Sequence, residues 1–219
     1  MKIIDPSFEL SSMFGRLTPY MGTRMLRFIE AQARISHRSE CRQTPTTWER
    51  FLRSNVIDHG DWSVTEHATV TATIRTDRGI THEQVRHRLF AFTQESTRFV
   101  RHKDEFEFIY PIAAPEDKYG TWRRTMVMCQ ESYKQLLREG WKPEDARSVF
   151  PSAFASTIAV TGSLRNWRLF FLMRTTRETH PDFKRITIPM LAEFQKAIPL
   201  LYDDIVPSER QIDNLKKAR

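Results

Sequence analysis

The sequence has few of the residues that mark several common classes of protein. Its 219 residues include only two cysteines and seven glycines. Cys41 and Cys129 lie far apart, so the chain has no Cys-x-x-Cys motif for a metal or redox centre, and a disulfide framework is not supported. It also has neither a GxGxxG nor a GxxxxGKS/T sequence, which excludes the glycine-rich cradles of Rossmann and P-loop nucleotide sites.

Long apolar runs are absent as well. The longest, Leu169–Met173, has five residues, whereas a helix needs roughly 18 or more apolar residues to span a bilayer. Residues 1–10 have no basic region that leads into an apolar stretch, so we expect no signal peptide. Together with the sparing use of cysteine, these features predict a cytoplasmic protein without a membrane partner.

The basic residues are mostly arginine. The chain has 34 Lys and Arg residues against 27 Asp and Glu, and 25 of the 34 are Arg. The planar guanidinium of Arg binds phosphate or carboxylate through two N–H groups and stays charged when buried. This bias fits a nucleic-acid binder, an enzyme for a phosphorylated substrate, or a basic surface without a ligand, and composition alone leaves all three open.

The spacing of apolar residues predicts a single domain of the α+β class over residues 1–219. Residues 68–75 alternate between apolar and polar, which predicts a half-buried strand. A turn at 77–79 is expected to lead into a helix that Thr81 caps and that runs to Phe90. The other predicted elements are helices over 22–36, 47–57, 121–139, 143–147, 164–174 (with Met173 on its apolar face) and 182–202, a loop over 93–98, a strand over 154–160, and a polar tail from Pro207 that frays.

Arginine, histidine and hydroxyl residues are concentrated between positions 86 and 98. Arg86-His87-Arg88 is followed by seven residues and then by Ser96-Thr97-Arg98. On the predicted helix, Arg86 and Arg88 would point about 200° apart, so one can meet a ligand while the other meets a neighbour. The loop Gln94–Arg98 offers backbone N–H groups, hydroxyls and a guanidinium, a combination suited to a phosphate.

One apparent metal motif fails on its spacing. The segment that starts at His82 resembles the zinc-binding HExxH motif, but His87 lies five positions on instead of four. The two imidazoles would therefore not share a helix face, and we predict no metal site.

The spacing Arg-His-Arg-x7-Ser resembles the signature of the flavin-dependent thymidylate synthases. Other segments are similar to this family in the same order and at compatible spacing, over about residues 30 to 185. These are Ala33–Ser36 (ARIS), His59–His67 (HGDWSVTEH), Thr76–Phe99 with RHR and QESTRF, Ala146–Pro151 (ARSVFP), and Leu164–Arg174 (LRNWRLFFLMR) with His180.

The resemblance implies an α+β fold with a central mixed or antiparallel sheet flanked by helices. It also implies methylation of the uracil C5 of dUMP with methylenetetrahydrofolate, FAD and NADPH. The family uses no enzyme cysteine as a nucleophile and forms homotetramers whose active sites lie between subunits. In this chain, Cys41 and Cys129 both lie outside the basic cluster, which agrees with structural roles for both.

The resemblance further assigns roles to individual residues. Ser96 and Arg174 would be catalytic, with Arg174 near the pyrimidine. The dUMP-binding residues would be Glu83, Arg86, Gln94, Glu95, Ser96, Thr97, Arg98, Arg147 and Arg174. The FAD-binding residues would be Ser36, Ser63, Glu66, Arg86, His87, Arg88, Leu89, Ser163, Arg165 and His180.

Several positions depart from the common family pattern. Asp61 stands where a histidine is common, and Ser163 and Leu169 replace polar residues on the flavin side. Ala91 replaces a frequent serine and Phe99 replaces a tyrosine. These departures leave open a relative that acts on UMP or another pyrimidine nucleotide, or a flavoprotein without this activity. A basic nucleic-acid-binding module is a further alternative, although no RRM, KH, helix-turn-helix or zinc-finger pattern is present.

Overall fold

The structure is a computed structural model that describes residues 1–102, 104–115 and 118–207. Its strands are β1 (Lys2–Ile3), β2 (Ser7–Ser12), β3 (Gly15–Arg16), β4 (Thr69–Asp77), β5 (Ala91–Gln94), β6 (Glu107–Phe108) and β7 (Ala155–Ser163). Its α-helices are α1 (Pro19–Ile35), α2 (Trp48–Leu52), α3 (Arg78–Gln84), α4 (Tyr119–Arg138), α5 (Pro143–Ala146), α6 (Leu164–Arg174), α7 (Pro181–Ala197) and α8 (Pro199–Tyr202).

Within the described residues the strands form one five-stranded sheet, in the order β3-β2-β4-β7-β5, and one parallel pair, β1 with β6. In β4 every second residue is buried, as the alternation of apolar residues over 68–75 predicts. Helices flank the antiparallel sheet, so the predicted α+β class is confirmed. None of the helices over the described ranges is both long and apolar enough to cross a bilayer.

The chain divides into two compact units, and the strands β2, β4 and β7 each contribute residues to both. The first unit comprises Met1–Phe8, Thr73–His87 and Phe92–Ala159. Its core contains Phe106, Phe108, Met126, Tyr133, Ala146 and Phe154. Aromatic rings supply most of this core, and they pack edge to face or tilted, as their quadrupoles favour.

The second unit comprises Glu9–Ala72, Arg88–Ala91 and the described residues from Val160 onwards. Its core centres on Trp167, whose ring is fully buried and whose indole N–H donates to the Val70 carbonyl at 2.9 Å. The buried Tyr202 likewise satisfies its hydroxyl by donating to the Leu164 carbonyl at 2.8 Å. The prediction of a single domain over the whole chain stays a prediction.

The periodic segments form where the sequence predicts them, and the helix at 81–90 is the main correction. This helix, α3, begins at Arg78 because Asp77 caps it: the Asp77 carboxylate accepts the Ile80 N–H at 2.9 Å. It ends at Gln84. Thr81 lies one turn inside, buried, and its hydroxyl donates to the Arg78 carbonyl at 3.1 Å.

Other boundaries also differ from the prediction. The expected loop 93–98 begins within strand β5, and the expected helix 182–202 is two helices because Pro199 starts a new one. The predicted helix 47–57 is α2 followed by a wider π-type turn over Arg53–Asp58. The strands β1–β3 were not predicted. Met173, which was expected on the apolar face of its helix, is 45% exposed. Most of the predicted fraying tail, residues 208–219, lies outside the described residues.

Candidate active site

The Arg86–Leu89 segment forms a turn after α3. Its backbone continues in turns, with the Arg86 and His87 N–H groups donating to the Glu83 and Gln84 carbonyls at 3.3 and 3.1 Å. Arg86, Arg88 and Leu89 are exposed. The expectation that Arg86 and Arg88 diverge on a helix is therefore wrong, because α3 ends at Gln84, before either residue.

The predicted nucleotide residues that follow β5 are held by side-chain contacts within the first unit. The Gln94 amide donates to the Thr81 hydroxyl at 2.9 Å and to the Ser156 hydroxyl at 3.2 Å. Glu95 pairs with Thr157 twice: its N–H donates to the Thr157 carbonyl at 2.8 Å, and its carboxylate accepts the Thr157 N–H at 3.2 Å. These contacts fix the start of the Ser96–Arg98 segment on the neighbouring strand.

Ser96 organises the turn that contains Thr97 and Arg98. Its hydroxyl oxygen accepts the N–H groups of Arg98 and Phe99 at 3.2 and 3.3 Å. Such a hydroxyl-capped turn is a local motif that serine favours. Thr97 is buried in this turn, and Arg98 is exposed.

Arg147 reaches this turn from a segment 50 positions later in the sequence. Its guanidinium donates to the Thr97 hydroxyl at 3.3 Å and to the Glu144 carbonyl at 3.1 Å. Arg98 in turn donates to the Glu144 carboxylate at 2.7 Å, and this hydrogen bond is the main cause that lowers the pKa of Glu144. The structure thus brings together Thr97, Arg98 and Arg147, and their assignment to a nucleotide site stays a prediction.

The first unit contains three candidate residues that the sequence reasoning missed: Arg75, Arg78 and Gln84. Arg75 donates to the carboxylates of Glu95 and Glu107 and to the Thr157 hydroxyl. Gln84 is 2% exposed, and its amide oxygen and nitrogen have no hydrogen-bond partner among the described residues. The sequence offered one signal for these residues, an arginine in the middle of a strand pattern at Arg75.

The second unit holds most of the predicted flavin residues. Arg165 and Glu66 form an exposed ion pair of 2.7 Å, 99 positions apart in the chain. The Asn166 amide donates to the Leu89 carbonyl at 2.7 Å. Ser163 caps α6 by accepting the Asn166 N–H at 3.2 Å, which explains why a serine can stand there.

Phe90 directly follows the Arg86–Leu89 segment, here called the arginine turn, and packs in the second unit. Its ring lies 4.8 Å from the Trp167 ring and 6.0 Å from the Phe170 ring, both edge to face. The backbone of Gly162 lies directly beneath it, since a Cβ atom at residue 162 would come within 2.4 Å of the Phe90 ring. A glycine at this point of β7 therefore makes room for the ring.

Four further predicted residues lie in separate segments of the second unit. Ser36 follows α1 and donates to the Ala33 carbonyl, and Ser63 is exposed in the short helix Trp62–His67. His180 caps α7 by accepting the Asp182 N–H at 3.3 Å. Arg174 ends α6 with its guanidinium 5.3 Å from the centre of the Phe183 ring. No hydrogen bond or ion pair joins Ser36, Ser63 and His180, all of which are described.

Comparison with known proteins identifies the family. The family described as thymidylate synthase complementing protein (Thy1) matches residues 16–200. A protein of Corynebacterium aurimucosum named flavin-dependent thymidylate synthase is 31% identical over 196 residues, which cover 80% of this chain and 78% of the relative. The chain belongs to the flavin-dependent thymidylate synthase family.

Two archaeal members of the flavin-dependent thymidylate synthase family match a shorter stretch. The Pyrococcus abyssi protein is 33% identical over 147 residues, which cover 64% of this chain. The Pyrococcus furiosus protein is 32% identical over 158 residues, which cover 69% of this chain. The matches span 60% and 63% of these two relatives, less than two thirds of their length.

Solved structures agree with the fold of a flavin-dependent thymidylate synthase family member. Two crystal structures of PolB, a UMP/dUMP methylase from Streptomyces cacaoi, superpose on this chain. The one bound with 5-Br dUMP has a TM-score of 0.73 at 18% identity and covers 93% of this chain and 96% of PolB. The one bound with 5-Br UMP has a TM-score of 0.72 at 19% identity and covers 93% and 95%. At this identity the likeness establishes a shared fold.

Proposed function

We propose that the protein is a flavin-dependent thymidylate synthase that converts dUMP to dTMP with methylenetetrahydrofolate, FAD and NADPH. The observation that carries the proposal is the hydrogen bond between Thr97 and Arg147 in a member of this family. It joins two distant segments that the family resemblance assigns to one nucleotide, and so builds a binding group that neither segment has alone.

The chemistry of this group suits a nucleoside monophosphate. Ser96 and Thr97 offer hydroxyls, and Arg98 and Arg147 offer guanidiniums. Charge-assisted hydrogen bonds from guanidinium to phosphate are among the strongest in proteins. Under the proposal these residues bind the phosphate and sugar, and Glu83, Arg86, Gln94 and Glu95 complete the contacts to dUMP.

Arg174 is the residue proposed to act on the pyrimidine. A guanidinium beside the uracil carbonyls stabilises negative charge that develops on the ring during reduction. In the proposed homotetramer the residues of one site come from more than one subunit, so Arg174 and the Ser96–Arg98 turn of a site can belong to different copies. Ser96 would act by holding this turn in place.

The residues of the second unit fit an anionic, polar-edged cofactor such as FAD. Arg88 and Arg165 are exposed cations, and Ser36 and Ser63 are exposed hydroxyls. Under the proposal they bind FAD together with the residues Glu66, Arg86, His87, Leu89, Ser163 and His180. The chemistry that FAD supplies when bound is hydride transfer after reduction by NADPH, while the chain's own residues bind and orient the reactants.

The environment of both cysteines supports chemistry without a thiolate nucleophile. Burial raises the pKa of the Cys129 thiol, which disfavours the reactive thiolate, and Cys41 is exposed in the short helix Glu40–Arg42. Neither environment has the activating features of a nucleophilic cysteine. We therefore infer that methyl transfer proceeds without covalent attachment to the enzyme.

An exposed apolar face on α6 supports the proposed assembly of identical subunits. Leu169, Leu172 and Met173 are 46%, 47% and 45% exposed. Leu172 and Met173 are three and four positions after Leu169, so the three lie on one face of the helix. Large exposed apolar residues that cluster on one surface are typical of interaction sites. A second copy of the chain is the partner that the homotetramer proposal places there.

The assay for the proposal is a spectrum followed by turnover. Freshly purified protein should be yellow, its flavin absorbance should change when dUMP is added, and it should release tritium from C5-labelled dUMP while NADPH is oxidised. UMP is the matched substrate, because PolB, which shares this fold, is a UMP/dUMP methylase. Turnover of UMP alone would replace dUMP by UMP in the proposal, and a colourless protein that turns over neither would refute it.

A further inference from the structure

Arg78 lies beside the segment that carries Arg147. It is the first residue of α3, and its N–H donates to the Ser152 and Phe154 carbonyls at 2.9 and 3.1 Å. Ser152 follows closely after the short helix Arg147–Val149. These backbone bonds fix the position of Arg78 in the first unit, against the segment that follows Arg147 in the chain.

The Arg78 guanidinium is half-buried without a carboxylate partner. Within the described residues its side chain makes no hydrogen bond and no ion pair. Glu95 attracts it weakly, but the Glu95 carboxylate is already bound by Arg75 and by the Thr157 N–H. Half-buried arginines are normally paired, because removing an ion from water costs free energy that only a partner restores.

Arg147 is in a similar state. Its hydrogen bonds go to two neutral oxygens, the Thr97 hydroxyl and the Glu144 carbonyl. The Glu144 carboxylate is bound by Arg98. Glu95 and Glu144 are therefore each held by another arginine, and Arg78 and Arg147 repel each other. Burial and this repulsion lower the pKa of Arg78.

We propose that Arg78 is a phosphate-binding residue of the nucleotide site and shares the phosphate of the bound nucleotide with Arg147. A phosphate monoester carries a charge of about −1.5 to −2 at pH 7, which matches two guanidiniums without acidic partners. The inference rests on the proposed function and adds a residue to it. A bound phosphate would explain why two positive side chains, Arg78 and Arg147, are held near each other beside Thr97.

The test compares dUMP with deoxyuridine, which differs only in lacking the phosphate. Arg78→Met, which keeps the aliphatic stem, should bind dUMP about 10- to 100-fold more weakly, the loss typical of one charge-assisted contact. Its affinity for deoxyuridine should equal that of the wild type. Titration calorimetry on the flavin-loaded protein measures both. Arg78→Lys, which keeps the charge but loses the fork, should fall between.

Stability separates a ligand-binding role from a structural one. Because Arg78 is unpaired and repelled by Arg147, Arg78→Met should leave the melting temperature of the nucleotide-free protein unchanged or raise it. The matched control is Arg138→Met, since Arg138 is exposed on α4 and donates only to Gln135. It should change neither affinity.

The outcomes distinguish this inference from the proposed function. Equal losses of dUMP and deoxyuridine affinity, unchanged dUMP affinity, or a strongly lowered melting temperature in Arg78→Met would each overturn the role of Arg78 and leave the function standing. Failure of the wild type to prefer dUMP over deoxyuridine would overturn the proposed nucleotide site itself.

Discussion

Replacing Arg75 by methionine should destabilise the first unit and loosen the Ser96–Arg98 turn. Arg75 donates to one Glu107 carboxylate oxygen at 3.1 and 2.7 Å, to the Thr157 hydroxyl at 2.8 Å and to Glu95 at 3.4 Å. Methionine preserves the stem and removes all of these bonds. It also leaves the half-buried Glu95 carboxylate without its Arg75 partner, and the Glu107 carboxylate with only its ion pair to Lys2.

The size of the effect follows from the exposure of the three side chains. Arg75, Glu107 and Glu95 are 32%, 27% and 26% exposed. Buried charged hydrogen bonds contribute about 1.5–3 kcal/mol each, and exposed ion pairs about 0.2–1 kcal/mol. An intermediate value for each carboxylate link gives a loss of about 2–3 kcal/mol in total. In a chain of this size that is a drop of about 5–10 °C in melting temperature.

The pH dependence makes the prediction specific to the ion pair. The hydrogen bond from Arg75 is the largest cause that lowers the pKa of Glu107 below its ordinary value of 4.5. A lowered carboxyl pKa contributes stability that is present above pH 4.5 and is lost as the pH falls through the pKa of the folded state. The difference in unfolding free energy between wild type and Arg75→Met should therefore be largest at pH 6–7 and shrink towards pH 3.

Urea denaturation at several pH values measures this difference, and Arg123→Met on the exposed side of α4 is the control. A double-mutant cycle with Glu107→Gln isolates the pair, which should couple by about 1–1.5 kcal/mol at neutral pH. A destabilisation under about 0.5 kcal/mol, or one that does not change with pH, would refute the reasoning.

Four further substitutions test other parts of the structure. Arg174→Ala should cut turnover while leaving the protein yellow, and unchanged turnover would remove Arg174 from the proposed nucleotide site. Arg88→Ala should weaken flavin retention on a desalting column, and a fully yellow variant would contradict its role. Burial lowers the pKa of His102 below its ordinary value of 6.5. The free energy of unfolding that depends on neutral His102 should therefore be fully present above about pH 6.5 and decline as the pH falls below it. His102→Phe should flatten that decline between pH 5 and 6.5 in denaturation curves, whereas an unaltered slope would show that other groups cause it. Gln84→Met should raise the free energy of unfolding by about 1–3 kcal/mol, because a buried amide without partners is costly, and a decrease would show that the amide is hydrogen-bonded in solution.

Elements with a strong periodic pattern could be predicted from the sequence, and those decided by competition between residues could not. Helix α6 and strand β4 follow directly from their apolar spacing. The start of α3 depends on whether Asp77 or Thr81 caps it, and both residue types favour that position. The short strands β1 and β3 have two residues each, too few for any alternation to show.

The candidate site divides in the same way. The resemblance carried by the RHR motif assigned Thr97, Arg98 and Arg147 to one nucleotide site. The structure joins Arg147 to Thr97 directly and to Arg98 through Glu144, and the nucleotide-binding role itself stays a prediction. Arg75 and Arg78 were missed because the sequence does not show which arginines have acidic partners. That depends on residues distant in the chain, such as Glu107, which lies 32 positions from Arg75.

The close approach of Phe90 to Gly162 places a steric limit on the arginine turn. The Phe90 ring lies against the backbone of Gly162. A methyl group added at residue 162 would therefore displace the ring and, with it, the neighbouring Leu89. In a library of random substitutions this glycine should tolerate replacement as poorly as a charged residue of the site. Gly162 has no charged group and makes no side-chain hydrogen bond, so a search for functional side chains would overlook it.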